Sequence, residues 1–291
     1  TVTVKLNLTG TDFRPVLGGP PGETYMTHPD TALGVAGLLF EAGAVRIRMV
    51  ESTNRIESLR ETVADAGWDV RAFESLGRVE WENTRNLGTG GKYATLKVGS
   101  GGHLFSGFEV NRAYADTDVV VSLCKLKNHL TCGVTLAMKN MFGMTPNALY
   151  GGQAPNEKGV EGRGPLHHRR EYRGAGLMPG ERAERGPDDP GHRVPRIVAD
   201  LIEARPVELS IIDGVTSMRG GEGPWAPDVA RIEPGVLLVG LNPVSADAVG
   251  MAVMGYPGTR GVRGTGPFRW GDNHLLLAEQ RGLGVDRKSV V

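Results

Sequence analysis

Cys124-Lys125-Leu126-Lys127-Asn128-His129 places two lysines, a histidine and a cysteine directly after the apolar run Val119-Val120-Val121-Ser122-Leu123. The segment that follows, Thr131 to Phe142, is apolar on nearly every face yet holds Lys139. Lysine is almost never fully buried without a partner, so Lys139 needs a reason to be there. Three ammonium groups near one strand end would attract a carboxylate or phosphate and depress one another's pKa. Lys125, Lys127 and Asn140 are therefore candidates for holding an anion. His129 and Lys139 are candidates for catalysis, and His129 could instead ligate a metal. A plainer reading has Lys125 and Lys127 facing solvent and Lys139 laying its stem along a helix. Lys139 inside an apolar segment tips the balance towards function.

Carboxylates that could serve the same site follow other apolar runs. Asp213 and Glu51 each end one, and Glu222 lies between glycines before Pro224. Asp213 and Glu222, with His129, could bind a metal or orient a substrate. An Asp-Gly turn would equally explain Asp213, and a helix cap Glu51. Asp247 in a first helical turn is favourable against the helix dipole. Cys124 and Cys132 could bind a soft metal with His129. Their spacing is not a standard zinc pattern, and free cysteine usually packs as a small hydrophobe. His167 and His168 could complete the site if their segment folds over it, although a solvated loop is the simpler view.

The elements that must position these residues alternate as β-α-β-α. Val2 to Leu8 reads as a strand, and Thr27-His28-Pro29-Asp30 as a helix start capped by Asp30 or Thr31. Val45 to Val50 is a second strand and Arg55 to Ala66 an amphipathic helix. The stretch from Asp69 to Gly107 reads weakly, with a strand over Tyr93 to Val98. The strand at Val119 is followed later by a helix over Val194 to Ala204 and strands over Val207 to Ile212 and Val236 to Val239. A helix after Asn242-Pro243 and one opened by Asp272 or Asn273 complete the chain. Such alternation predicts an α/β fold, with a mainly parallel sheet and helices on both faces. Ligands of such sheets bind beyond the carboxyl ends of the strands, where the lysine-rich motif falls. One domain over 1–291 is expected. Residues 151–193 are an irregular insertion, rich in glycine, proline and charge, that could cover the site or be disordered.

Composition limits the alternatives. The 33 basic and 33 acidic residues balance, so no global field favours nucleic acid or an anionic membrane. No long apolar run predicts a membrane span. Two cysteines exclude a disulfide scaffold and a self-contained four-cysteine iron–sulfur site. Gly88-Thr89-Gly90-Gly91-Lys92-Tyr93 lacks Walker spacing, and neither a dinucleotide fingerprint nor a nucleophile elbow is present.

These motifs together resemble the domain-of-unknown-function 362 family. The resemblance rests on Lys5-Leu6-Asn7, Glu41-Ala42-Gly43-Ala44 with Glu51-Ser52, and Lys125 to His129. It continues through Gly133-Val134-Thr135-Leu136, Lys139-Asn140-Met141-Phe142-Gly143, Ile212-Asp213-Gly214, Glu222-Gly223-Pro224 and Ala246-Asp247-Ala248. It implies that Thr1 is a trimmed start, since members often carry more sequence before the first strand. Some members are exported through twin-arginine signals, and some carry a ferredoxin-like insertion for which this chain lacks the cysteines. His129, Gly133 and Lys139 are also spaced like a stretch of the nickel-pincer lactate racemases. That similarity implies a cofactor held covalently by Lys139, with His129 assisting catalysis.

The reading is an enzyme performing a redox or isomerase step on a small anionic substrate, with a metal or cofactor whose identity is open. A divalent metal could serve. A non-catalytic anion, metal or cofactor carrier, or an assembling scaffold, are the alternatives. A homo-oligomer or a redox partner would fit any of them. A soluble protein is expected, either cytoplasmic or exported after removal of an N-terminal signal.

Overall fold

A computed structural model describes residues 1–184, 186–256 and 261–285. Residue 185 of the expected insertion and the end of the expected domain at 286–291 lie outside the described residues. The main sheet is built from β1 (Val2–Lys5), β2 (Ile47–Glu51), β3 (Val79–Asn83), β4 (Val119–Lys125), β5 (Leu209–Gly214) and β6 (Val236–Gly240). Their spatial order is β6-β5-β4-β1-β2-β3. Every neighbouring pair is parallel except β5 with β6. The α/β fold with a mainly parallel sheet is thus present. The chain winds outward from β1 through β2 to β3, then returns and winds the other way through β4. The switch point lies between β1 and β4, where the crossovers part and leave a crevice.

Each face of the sheet carries its own core, and the period-2 alternation of the strands decides which side chain enters which. Val2, Val4, Ile47, Met49, Val121, Leu123 and Ile211 pack with α1 (Pro29–Glu41), α2 (Leu59–Asp65) and α3 (Val70–Leu76). Val50, Val120, Cys124 and Ile212 pack with α4 (Leu136–Asn140), α5 (Pro190–Ala204), α6 (Pro243–Val253) and α7 (His274–Gln280). β4, covered on both faces, reads as a nearly continuous apolar run, whereas β1 and β2 carry Thr3, Lys5, Arg48 and Glu51 among their apolar residues.

Several boundaries differ from expectation for local reasons. His28, not Asp30 or Thr31, caps α1, by accepting from the Asp30 amide with Pro29 at the first helical position. The helix expected from Arg55 begins at Leu59, because Ser58 and Glu61 form a reciprocal capping box. Helix α5 starts at Pro190 rather than Val194, with Asp189 accepting from the Gly191 amide. β3 and α3 lie in the stretch that reads weakly. β3 is a partly buried edge strand with charged residues, so its hydrophobic signal is faint.

The described residues of 151–193 hold little regular structure before α5. They include short helical turns at Gly164–His167 and Arg169–Glu171. Glu181 pins the segment to α5, accepting from Arg193 at 3.0 Å and from Arg169 at 2.7 Å. Leu166 and Met178 are buried in the α4-side core.

Candidate functional site

β1, β2, β4 and β5 all end on the same side of the sheet, and a cavity of about 350 Å³ lies there. After β1 it is lined by Lys5, Asn7 and Thr9, and after β2 by Glu51 and Asn54. After β4 come His129, Thr135, Lys139, Asn140 and Phe142, and after β5 Glu222 and Trp225. The insertion adds Arg163 and His167. The cavity therefore occupies the switch-point crevice, and the insertion forms part of its wall.

Among the residues singled out by sequence, His129, Lys139, Asn140 and Glu222 meet at this cavity. Lys125, Lys127 and Asp213 do not line it. Lys125 and Asp213 share strand parity with Leu123 and Ile211, so they face the α1 side. There they form a fully buried pair at 2.9 Å, and Lys125 also donates to the Gly22 carbonyl at 2.6 Å. The remaining acceptor capacity of Asp213 takes the amides of His28 and Val215. Lys127 is equally buried and donates to Thr9 Oγ1, to the Tyr25 carbonyl and to the Glu222 carbonyl at 2.8 Å. Burial pushes its pKa well below the ordinary lysine value. These lysines, expected to hold an anion, are internal ties that fix the loops after β1 and β5. Nor do His129, Glu222 and Asp213 converge as the expected metal set. Among the described residues no group of three or more His, Cys, Asp or Glu side chains is arranged to hold a metal ion.

Lys5 and Glu51 form the floor of the cavity. Their ion pair is 2.7 Å long and nearly inaccessible. Burial lowers the lysine pKa while the glutamate opposes that shift. Glu51 also accepts from the Ser52 and Leu8 amides. Asn140 closes the network with both ends of its amide, bonding to Lys5 and to Ser122. A side chain on Gly143 would sit 2.8 Å from Lys5 Nζ and 2.9 Å from Glu51 Oε1, so this close approach requires glycine.

The wall is different, because its cations are less committed. Lys139 stands over the Phe142 ring at 4.2 Å, and among the described residues no carboxylate lies within ion-pairing distance of it. It is partly accessible at the cavity rather than sealed in the core. Burial lowers its pKa below the usual lysine value. Arg163 donates to the carbonyls of Thr145, Ser52 and Gly143, again with no carboxylate partner among the described residues. The wall carboxylate, Glu222, accepts from the Leu130 amide at 2.9 Å and the Trp225 indole at 3.0 Å. Negative charge at the cavity is thus already satisfied, while two positive groups retain capacity.

The two imidazoles are held in opposite tautomers. His129 Nδ1 accepts the amides of Thr131 and Cys132, at 3.1 and 3.4 Å, so the neutral ring carries its proton on Nε2. His167 Nδ1 lies 3.1 Å from the Arg163 carbonyl, which can only accept, so its proton is on Nδ1 and Nε2 is a free lone pair. Burial and then Lys139 keep both neutral: His129 falls well below its ordinary value, and His167 to about 4. Asn7, itself buried, leaves its Oδ1 without a partner at the same cavity. One cavity thus holds a fixed donor, a fixed base, two cations and an open amide.

α4 is placed by Asp247, whose two carboxylate oxygens accept the Ala137 and Met138 amides at 2.7 and 2.9 Å. Asp247 lies in α6 but caps α4, so its role is structural. The cysteines are buried and free, and burial pushes the Cys132 thiol up to about 12. Arg163, Asn7 and Trp225 were not singled out from sequence as site residues. Asn7 could have been found, since it lies two residues past the end of β1. Arg163 lies in a stretch whose composition carries no periodic signal.

The model of the family described as Domain of unknown function (DUF362) matches residues 2–252. The chain belongs to the DUF362 family. The match runs from β1 through most of α6, so the cavity walls lie within the family's domain. Thylakoid-associated protein sll1697 of Synechocystis sp. is 28% identical over 133 residues. That alignment covers 45% of this chain and 37% of the relative's length. No solved structure matches. In this DUF362 chain His129 and Lys139 line one cavity, whereas Gly133, at a positive φ of 77°, does not line it. Among the described residues no helix is long and apolar enough to cross a membrane.

Proposed function

We propose that this DUF362 protein is an enzyme that binds a small carboxylate or phosphate in the switch-point cavity and transfers a proton on it. The observation that carries this reading is Lys139, a cation with no carboxylate partner among the described residues, facing a cavity whose own carboxylates are already satisfied. Lys139 and Arg163 would neutralise the substrate anion. His167 Nε2 would take a proton from the substrate. The Nε2–H of His129 would hydrogen-bond the oxygen on which charge develops, which a neutral imidazole can do without ionising. Asn7 Oδ1 would accept from a substrate hydroxyl. This is the proton-transfer half of an isomerase, or of a redox step whose electrons go elsewhere.

Lys139 is also free to anchor an organic cofactor, as the racemase resemblance implies, and such a group would supply hydride capacity. The proton transfer described above needs only the chain's own residues. A carrier without turnover would use the same cations but would not need the two fixed tautomers.

The test is solvent exchange. The protein is incubated in D₂O with short 2-hydroxy and 2-oxo acids and their phosphate esters, and carbon-bound deuterium is followed by NMR. The expected result is exchange that disappears in His167→Gln. Binding with no exchange in any of these compounds would favour the carrier.

A further inference from the structure

His129 lines a second cavity as well. This cavity, of about 570 Å³, is lined by Asn128, His129 and Gly133 of the hairpin Asn128–His129/Gly133–Val134 and bordered by Arg219, Asp228, Tyr256, Arg269 and Trp270. Its chemistry differs from that of the first. Arg219 and Arg269 are exposed, and among the described residues neither has a carboxylate within ion-pairing distance. Arg269 instead lies 5.8 Å from the Trp270 ring. Trp270 is 63% exposed, unusual for the largest apolar side chain, and it stands at the cavity rim. Asp228 has no hydrogen-bonding partner for its carboxylate among the described residues. Three of the bordering residues are glycines at positive φ: Gly133 at 77°, Gly220 at 95° and Gly266 at 51°. At Gly133 and Gly220 the space a side chain would take is filled by Pro267 and Asp228 backbone, whereas at Gly266 it is open.

We infer that the second cavity binds a nucleotide-sized aromatic anion, a phosphate ester carrying a planar ring. The guanidinium groups match a phosphate in fork geometry. Trp270 and Tyr256 supply flat faces for the ring. Asp228 accepts from a hydroxyl or an exocyclic amine. A small carboxylate alone would leave the aromatic faces and Asp228 unused, so this ligand is distinct from the one in the first cavity. His129 borders both cavities.

Calorimetric titration of the full chain with adenosine 5′-monophosphate and with flavin mononucleotide tests this. Adenosine and inorganic phosphate serve as partial ligands, titrated into Lys139→Met so that the first cavity does not contribute. At least one nucleotide binds with a Kd below about 1 mM. Arg219→Gln and Arg269→Gln each weaken it about tenfold, while Lys139→Met, in the first cavity, changes it less than about twofold. Adenosine and phosphate each bind at least about tenfold more weakly than the nucleotide. Three outcomes overturn the inference: neither nucleotide binds; phosphate binds as tightly as the nucleotide; or binding is lost in Lys139→Met and kept in the arginine variants. The altered arginines are exposed and outside the cores, so their variants fold. Failure here leaves the proton-transfer reading standing, because the deuterium test reads only the first cavity.

Discussion

Lys139 gives the sharpest test at the scale of a residue. Lys139→Met nearly conserves volume and helix propensity, and it removes a partly buried charge that has no carboxylate partner among the described residues. The melting temperature should stay or rise, while anion affinity falls by at least about tenfold, the order of a charge-assisted contact. Calorimetry and thermal denaturation on the same preparation check both. The pH dependence follows from two groups. His167 must be neutral to act as base, so exchange should persist down to about pH 4, where its pKa lies, and vanish below. Lys139 must be protonated, so anion binding should weaken on the alkaline side, below the ordinary lysine pKa, because burial lowers its own. A pH profile of deuterium exchange reads both limbs. His129 and Lys139 were legible because charged residues interrupt an apolar pattern. Lys125 faces the α1 side, as its alternation with Leu123 implied, whereas Lys127 lies past the end of β4 and is tied to Thr9, Tyr25 and Glu222, which no strand pattern shows. His167 was visible only as a conditional member, since no local pattern says that its segment folds over the sheet.

At the scale of elements, the site depends on how α4 and the insertion are held. Asp247 supplies both acceptors for the first amides of α4, and no other element among the described residues replaces them. Asp247→Ala should cost about 3 kcal/mol, because two buried N–H groups lose their acceptors. Chemical denaturation measures it, and a cost below about 1 kcal/mol would show that α4 is held by packing alone. Gly143→Ala should break the Lys5–Glu51 floor and abolish anion binding, since the added carbon meets both charged atoms below 3.0 Å. A crystal structure of that variant with the pair intact would contradict the account. β1 was legible from its alternation and β4 from its continuous apolar run. The strand expected over Tyr93 to Val98 is present at Ala94–Lys97, but β3 and the hairpin at Asn128–His129/Gly133–Val134 were not legible, because their stability comes from neighbours rather than from their own residues.

Across the whole molecule, buried neutral histidines set the acid limit. His274 is fully buried, and burial lowers its pKa to about 3, while His167 falls to about 4. The unfolded chain binds protons near pH 6.5 that the fold excludes. Stability is therefore full above that pH and falls as pH drops towards 3. The loss from His274 alone is on the order of 4 kcal/mol. Asp247, raised by burial, opposes this in part. Denaturant midpoints between pH 7 and 4 should decline, and His274→Gln should flatten the decline. The strand order places the switch point between β1 and β4, and that order could not be read from the strands alone. It arises from which crossover packs on which face, a decision made by long-range contacts.

The central claim is that the switch-point cavity binds a small anion through Lys139. Calorimetric titration of the full chain and of Lys139→Met at pH 7 with inorganic phosphate, glycolate and pyruvate tests it most directly. The account predicts that the parent protein binds at least one of these and that the folded variant loses that binding by at least about tenfold. Equal affinity in both folded proteins, or no binding of any of the three by the parent, would contradict it.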